Sequence, residues 1–108
     1  MRTVAEAYRV CSTGDLLPGA VRRFEVAGTC LAVVRIEEEV FAVGDICSHE
    51  DYSLSEGEVW VDDCAIECPK HGSTFDLRTG EPQTLPATTP VPVFAAWVDG
   101  TDVMVELP

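Results

Sequence analysis

Two short cysteine–histidine pairs restrict this chain more than any other feature. They are Cys47-Ser48-His49 and, after a gap of eighteen residues, Cys68-Pro69-Lys70-His71. Only two histidines occur in 108 residues, and each stands beside a cysteine at metal-ligand spacing. Two soft thiolates with two neutral imidazoles select a zinc ion or an iron–sulfur cluster over calcium or magnesium. Any fold must therefore bring both pairs to one place.

The length allows one domain with one sizeable core. The first ten residues mix Arg2, Glu6 and Arg9 with short apolar steps, unlike a secretory leader. No apolar run approaches the roughly 20 residues of a membrane span, so no membrane association and a cytoplasmic location are expected. The five cysteines are Cys11, Cys30, Cys47, Cys64 and Cys68. An odd number without a leader argues against a disulfide framework. Cys11 and Cys30 read as small buried hydrophobes, and Cys64 either as core or as a spare ligand, with core expected. The net charge of −12 argues against nucleic acid, which needs a basic face. Eleven acids and no lysine or arginine lie between Glu37 and Glu67. They form either a solubilising face or a docking surface for basic partners, and their position around the first pair favours docking.

The apolar pattern is that of strands and turns. Ala7–Val10, Ala20–Val26, Thr29–Ile36 and Val40–Val43 are short β-forming runs, with hairpin turns at Ala27-Gly28 and Glu37-Glu38. Val93–Val98 and Val103–Leu107 are expected to pair across Asp99-Gly100. Ser12–Asp15 leaves room for one helical turn at most. Asp63–Glu67 and Ser73–Leu77 pair with the second cysteine–histidine loop between them, and a stretch holding Pro82, Pro86, Pro90 and Pro92 follows. The expected fold is all-β: a small β-sandwich or barrel from residues 1–43 and 93–108, carrying an inserted lobe over 44–92. Both ends of the chain build the base, so residues 1–108 form one folding unit.

The string Cys68-Pro69-Lys70-His71-Gly72-Ser73-Thr74-Phe75-Asp76, with the first pair in the right order and separation, resembles the ligand loops of Rieske proteins. Gly44–His49, Ser53–Gly57 and the terminal hairpin extend the likeness along the whole chain, to stand-alone Rieske ferredoxins. The resemblance implies one [2Fe–2S] cluster, with Cys47 and Cys68 on one iron and His49 and His71 on the other. It implies a covering proline loop at Pro86–Pro90, and a Gly72 that lets backbone approach the cluster or simply makes a turn. High-potential members join their loops by a disulfide, which Tyr52 and Lys70 here preclude. They also carry a tyrosine hydroxyl where this chain has Phe75, although Ser73 keeps a hydroxyl. Fewer donors to sulfur stabilise the reduced cluster less, so the potential should lie near the bottom of the roughly −150 to +300 mV range.

Both histidines are used as ligands, which leaves none for a mononuclear iron site or for acid–base catalysis. No Gly-x-Gly-x-x-Gly string is present to take hydride from a nicotinamide. The expected protein is a monomeric electron carrier and not an enzyme. It resembles the ferredoxin components of bacterial ring-hydroxylating dioxygenases, which implies a flavin-dependent reductase and a terminal non-haem iron oxygenase as partners. A likeness to Rieske ferredoxins encoded beside actinobacterial sulfur-mobilisation genes leaves a role in iron–sulfur assembly as the alternative. A structural zinc module is the alternative of another class, disfavoured because Cys-x-His is too close for the usual zinc knuckles.

Overall fold

The computed structural model describes residues 6–45, 53–69, 72–83 and 89–107. Ten strands run in chain order: β1 Glu6–Ser12, β2 Val21–Val26, β3 Thr29–Ile36, β4 Glu39–Gly44, β5 Val59–Trp60, β6 Ala65–Glu67, β7 Thr74–Asp76, β8 Val93–Phe94, β9 Ala96–Asp99 and β10 Asp102–Leu107. They make three antiparallel sheets, ordered β1-β10-β9, β2-β3-β4-β8 and β5-β6-β7. Two single-turn 3-10 helices, Thr13–Asp15 and Leu54–Glu56, complete the regular structure among the described residues.

The turns follow from local chemistry. β2 and β3 pair from Val21↔Val34 to Val26↔Thr29, which leaves Ala27-Gly28 as the loop with φ of 49° and 82°. Positive φ at both positions is what a tight hairpin of the right twist requires. Glu37-Glu38 likewise closes β3 and β4 as a two-residue loop, with positive φ (55°) at Glu37 but not at Glu38. The last hairpin turns at Gly100-Thr101, one residue later than the sequence suggests, because Asp99 pairs with Asp102.

The expected strand Val93–Val98 is two strands. Val93 and Phe94 pair with Val43 and Ala42 of the middle sheet, whereas Ala96–Asp99 pairs with β10. The break at Ala95 moves the chain from one sheet to another, and an unbroken run of β-formers carries no sign of such a step.

β3 explains how the sheets stack. Its central residues Leu31-Ala32-Val33-Val34 are all fully buried, without the alternation of a half-exposed strand. Leu31 and Val33 join Cys11, Leu16, Val40, Ala42, Val103, Val105 and Leu107 in one core, against the sheet made by the two ends of the chain. Ala32 and Val34 join Val43, Leu54, Ile66, Cys68, Phe75, Leu77 and Val91 in a second core. The middle sheet is thus covered on both faces, and the sheet bearing Cys68 packs on the face opposite the termini.

Candidate metal centre

Cys68 is the one residue of the two pairs within the described part of the structure; Cys47, His49 and His71 lie outside it. Cys68 directly follows β6, is 1% exposed and belongs to the second core. Its N–H donates to the Ser73 carbonyl at 2.7 Å and its carbonyl accepts the Gly72 N–H at 3.1 Å. These bonds close the hairpin that carries the second pair between β6 and β7, as its spacing suggested. Gly72 has φ of +73° and nothing within 4 Å of where a Cβ would stand, so backbone conformation, not space, selects glycine among the described residues. Ser73 and Phe75 are wholly buried beside it.

The ends of the other relevant segments converge on the same core. Asp45 and Ser53 flank residues 46–52, and the Ser53 hydroxyl donates to the Asp45 carboxylate. Leu54, next in the chain, is buried in the core that holds Cys68. Its burial contributes about 1.5–3 kcal/mol, which a helix of one turn could not supply by itself. Beyond it, Glu58 accepts the Glu67 N–H at 2.8 Å, tying this stretch to the residue before Cys68. Gln83, before residues 84–88, donates its N–H to Thr74 at 2.7 Å, at the loop end of β7. After those residues, Pro92 accepts the Gly44 N–H at 2.9 Å. Within the expected proline loop Pro86–Pro90, Thr89 and Pro90 are described and exposed.

Asp45 is the residue that sequence reasoning missed. Counted among the surface acids, it is 1% exposed. Its carboxylate also accepts the Ser55 N–H at 2.9 Å and lies 3.2 Å from Arg23 Nε. The outer end of the same guanidinium reaches Cys30 Sγ at 3.2 Å. Contact with Cys30 first, and the charge of Asp45 after it, raise the Arg23 pKa above its ordinary value. Cys30 is accordingly half-buried and polar in its contacts, not the buried hydrophobe expected. Cys11 is buried as expected.

Cys64 packs against the second core from the end of the β6–β7 hairpin remote from Cys68, with φ of 50°. Burial pushes its thiol above the ordinary value, opposed by Arg78 and reinforced by Asp76 and Glu39. That environment is one of packing. The acid run is also divided in space. Glu37, Glu38 and Glu39 lie exposed at the β3–β4 turn, and Asp62 and Asp63 at the β5–β6 turn. The six residues of β4 put Glu39 roughly 17 Å along the strand from Gly44 at 3.3–3.4 Å per residue. Glu67 is half-buried and accepts the Trp60 indole N–H at 3.3 Å. The exposed acids near the Cys68 end are Glu56 and Glu58 among the described residues. A groove of about 280 Å³ beside β4 and β8, lined in part by Glu39, Phe41, Arg78 and Phe94, includes no residue of either pair.

These observations define a class: an all-β scaffold that presents a buried cysteine at a hairpin tip and anchors neighbouring segments around one core. A soft donor at that position, in a chain that carries a further cysteine and two histidines at Cys47, His49 and His71 outside the described residues, fits an iron–sulfur cluster of mixed ligation. A Rieske [2Fe-2S] domain matches residues 6–95, and the chain belongs to the Rieske family. It is a ferredoxin-type electron carrier whose cofactor is one Rieske-type [2Fe–2S] cluster, which sets the zinc alternative aside. The ferredoxin component of biphenyl 2,3-dioxygenase from Rhodococcus jostii (strain RHA1) is 41% identical over 99 residues, covering 92% of this chain and 91% of that protein. The ferredoxin of carbazole 1,9a-dioxygenase from Nocardioides aromaticivorans IC177 superposes with a TM-score of 0.89 at 38% identity, over 92% of this chain and 95% of that one. A structure described as a complex of reduced oxygenase and oxidized ferredoxin in carbazole 1,9a-dioxygenase contains a chain similar at TM-score 0.84 and 40% identity, covering 92% of this chain and 91% of that one. No helix among the described residues is long and apolar enough to cross a membrane.

Proposed function

We propose that the chain carries single electrons from a flavin-dependent reductase to a terminal non-haem iron oxygenase, and catalyses no reaction of its own. Cys47 and Cys68 would bind one iron, and His49 and His71 the other, in the lobe over residues 44–92 that rests on a base from 1–43 and 93–108. The cluster supplies a one-electron couple. The protein's own part is to hold two thiolates and two imidazoles on segments anchored to one core, and to keep Cys68 out of water. Phe75 offers no hydroxyl to a cysteine sulfur, which supports a potential low in the Rieske range.

The observation that carries this reading is likeness along nearly the whole chain to dioxygenase ferredoxin components, one of them in complex with its oxygenase. The test is reconstitution. Purified protein, a flavin ferredoxin reductase and a ring-hydroxylating oxygenase should together oxidise an aromatic substrate at the expense of NADH, with no turnover when the ferredoxin is omitted. Reduction by the reductase without onward transfer to any oxygenase would overturn the oxygenase assignment.

A further inference from the structure

Carboxylates are almost never fully buried unless paired, and the pairing of Asp45 is specific. Its Oδ1 accepts the Ser55 N–H at 2.9 Å, and its Oδ2 takes both the Ser53 hydroxyl and the Arg23 guanidinium. Its backbone adds two bonds, donating to the Cys30 carbonyl at 3.1 Å and accepting from the Leu54 N–H. Residue 45 is thereby joined to 53, 54 and 55 across the seven residues 46–52, the segment that holds Cys47 and His49.

We infer that Asp45 is a positioning residue for the cluster: with Arg23 as its counter-charge, it clamps shut the base of the segment bearing the first ligand pair. The inference rests on the assignment of Cys47 and His49 as ligands. Chemistry at the clamp requires an acid and not merely a polar residue. Both oxygens face donors, so the NH₂ of an asparagine would meet either the Ser55 N–H or the Arg23 guanidinium, whichever way it turned. Asp45 stands two residues before Cys47, and two residues of chain span at most about 7 Å, so the two backbones lie within that reach of each other. Asp45 is wholly buried while the Arg23 side chain is 55% exposed. Water screens the arginine more, and the acid dominates the local field.

The test uses the holoprotein with Asp45→Asn and Arg23→Gln, read by midpoint potential, electron paramagnetic resonance and the rate of cluster release to a chelator. Asp45→Asn removes a negative charge and should raise the midpoint. Arg23→Gln removes a positive one and should lower it by less. Cluster release should be roughly tenfold faster in Asp45→Asn, the lower end of what outer-shell changes cost. Arg23→Gln alters an exposed side chain, so its reading survives if the asparagine variant does not fold. Ser53→Ala, which deletes one clamp bond without changing charge, should also hasten release.

A purely structural role would lower thermal stability in all three variants without shifting the midpoint in opposite directions. Shifts of the same sign, or none with release within twofold of the parent, would overturn the clamp. His49→Cys separates the two levels. An altered resonance spectrum in His49→Cys with an unaltered Asp45→Asn removes the clamp alone; an unaltered His49→Cys removes the ligand assignment and the clamp with it.

Discussion

Among the glycines, Gly57 leaves the least room for a Cβ, and replacing it with alanine should be costly. Its backbone is extended, with φ of −86°, so no unusual conformation calls for glycine. Space does. An added Cβ would stand 1.7 Å from the Glu67 carbonyl oxygen, 2.9 Å from its carbon and 3.2 Å from the Leu54 oxygen. To restore the 3.4 Å of ordinary contact, the Glu67 carbonyl must retreat by about 1.7 Å. Both obstacles are backbone, so no side chain can swing aside.

Glu67 is held by β7 on one side and by its 2.8 Å bond to Glu58 on the other, and the next residue is Cys68. Overpacking costs about 1–3 kcal/mol, and loss of the Glu58–Glu67 bond adds about 0.5–1.5 kcal/mol. The sum, about 1.5–4.5 kcal/mol, corresponds to a fall in Tm of roughly 6–35 °C for a domain of this size. The assay is thermal unfolding of holoprotein followed at once by far-ultraviolet circular dichroism and by the visible absorption of the cluster. Both signals should move down together, because the displaced carbonyl leads directly into Cys68. Gly14→Ala is the control, since its Cβ would meet nothing nearer than 3.8 Å; it should stay within about 0.5 kcal/mol of the parent. A Gly57→Ala midpoint within about 3 °C of the parent would refute the packing argument.

Three further outcomes are expected. His71→Cys replaces a neutral imidazole by a thiolate, so any cluster it retains should have a lower midpoint potential in voltammetry, and an unchanged value would mean that His71 is not a ligand. The midpoint of the parent should fall in alkaline solution as the outer ring N–H of the proposed ligand histidines is lost, and a value constant to about pH 10 would argue against exposed histidine ligands. Burial raises the Cys11 and Cys64 thiols above the ordinary 9.0, so both should resist iodoacetamide at pH 8 until the protein unfolds. Because the native state holds these protons to higher pH than the unfolded chain does, their stabilisation is complete below about pH 9 and lost as pH rises through the native values. Urea midpoints at pH 8 and 10 check the sign, and labelling of folded Cys64 at the rate of a free thiol would contradict it.

The β2–β3 and β3–β4 hairpins were legible because their turns are local chemistry: Ala27-Gly28 and Glu37-Glu38 interrupt runs of β-formers, and the strands on either side of each turn pair with one another. The β6–β7 hairpin was legible for a similar reason, since the second cysteine–histidine pair and Gly72 announce its tip. The division of Val93–Val98 was not. Which sheet receives Val93 depends on the free edge of β4 at Ala42 and Val43, some fifty residues earlier in the chain. β5 was missed because two residues, Val59 and Trp60, hold no period that could be read.

Asp45 shows the deeper obstacle. In the linear chain it is one acid among eleven, in a run without a basic residue, and every local sign places it in water. Its partner Arg23 stands on β2, and the two meet only after β2 has paired with β3 and the Cys30 carbonyl has taken the Asp45 N–H. Charge read along a sequence therefore identifies acids without identifying surface. Once Asp45 is withdrawn inward and Glu39 is carried to the far end of β4, the continuous acidic tract becomes separate groups with separate work. Glu56 and Glu58 remain exposed beside the strand that leads into Cys68, and Asp45 is buried at the foot of residues 46–52, held by Ser53, Ser55 and Arg23 in the clamp proposed above.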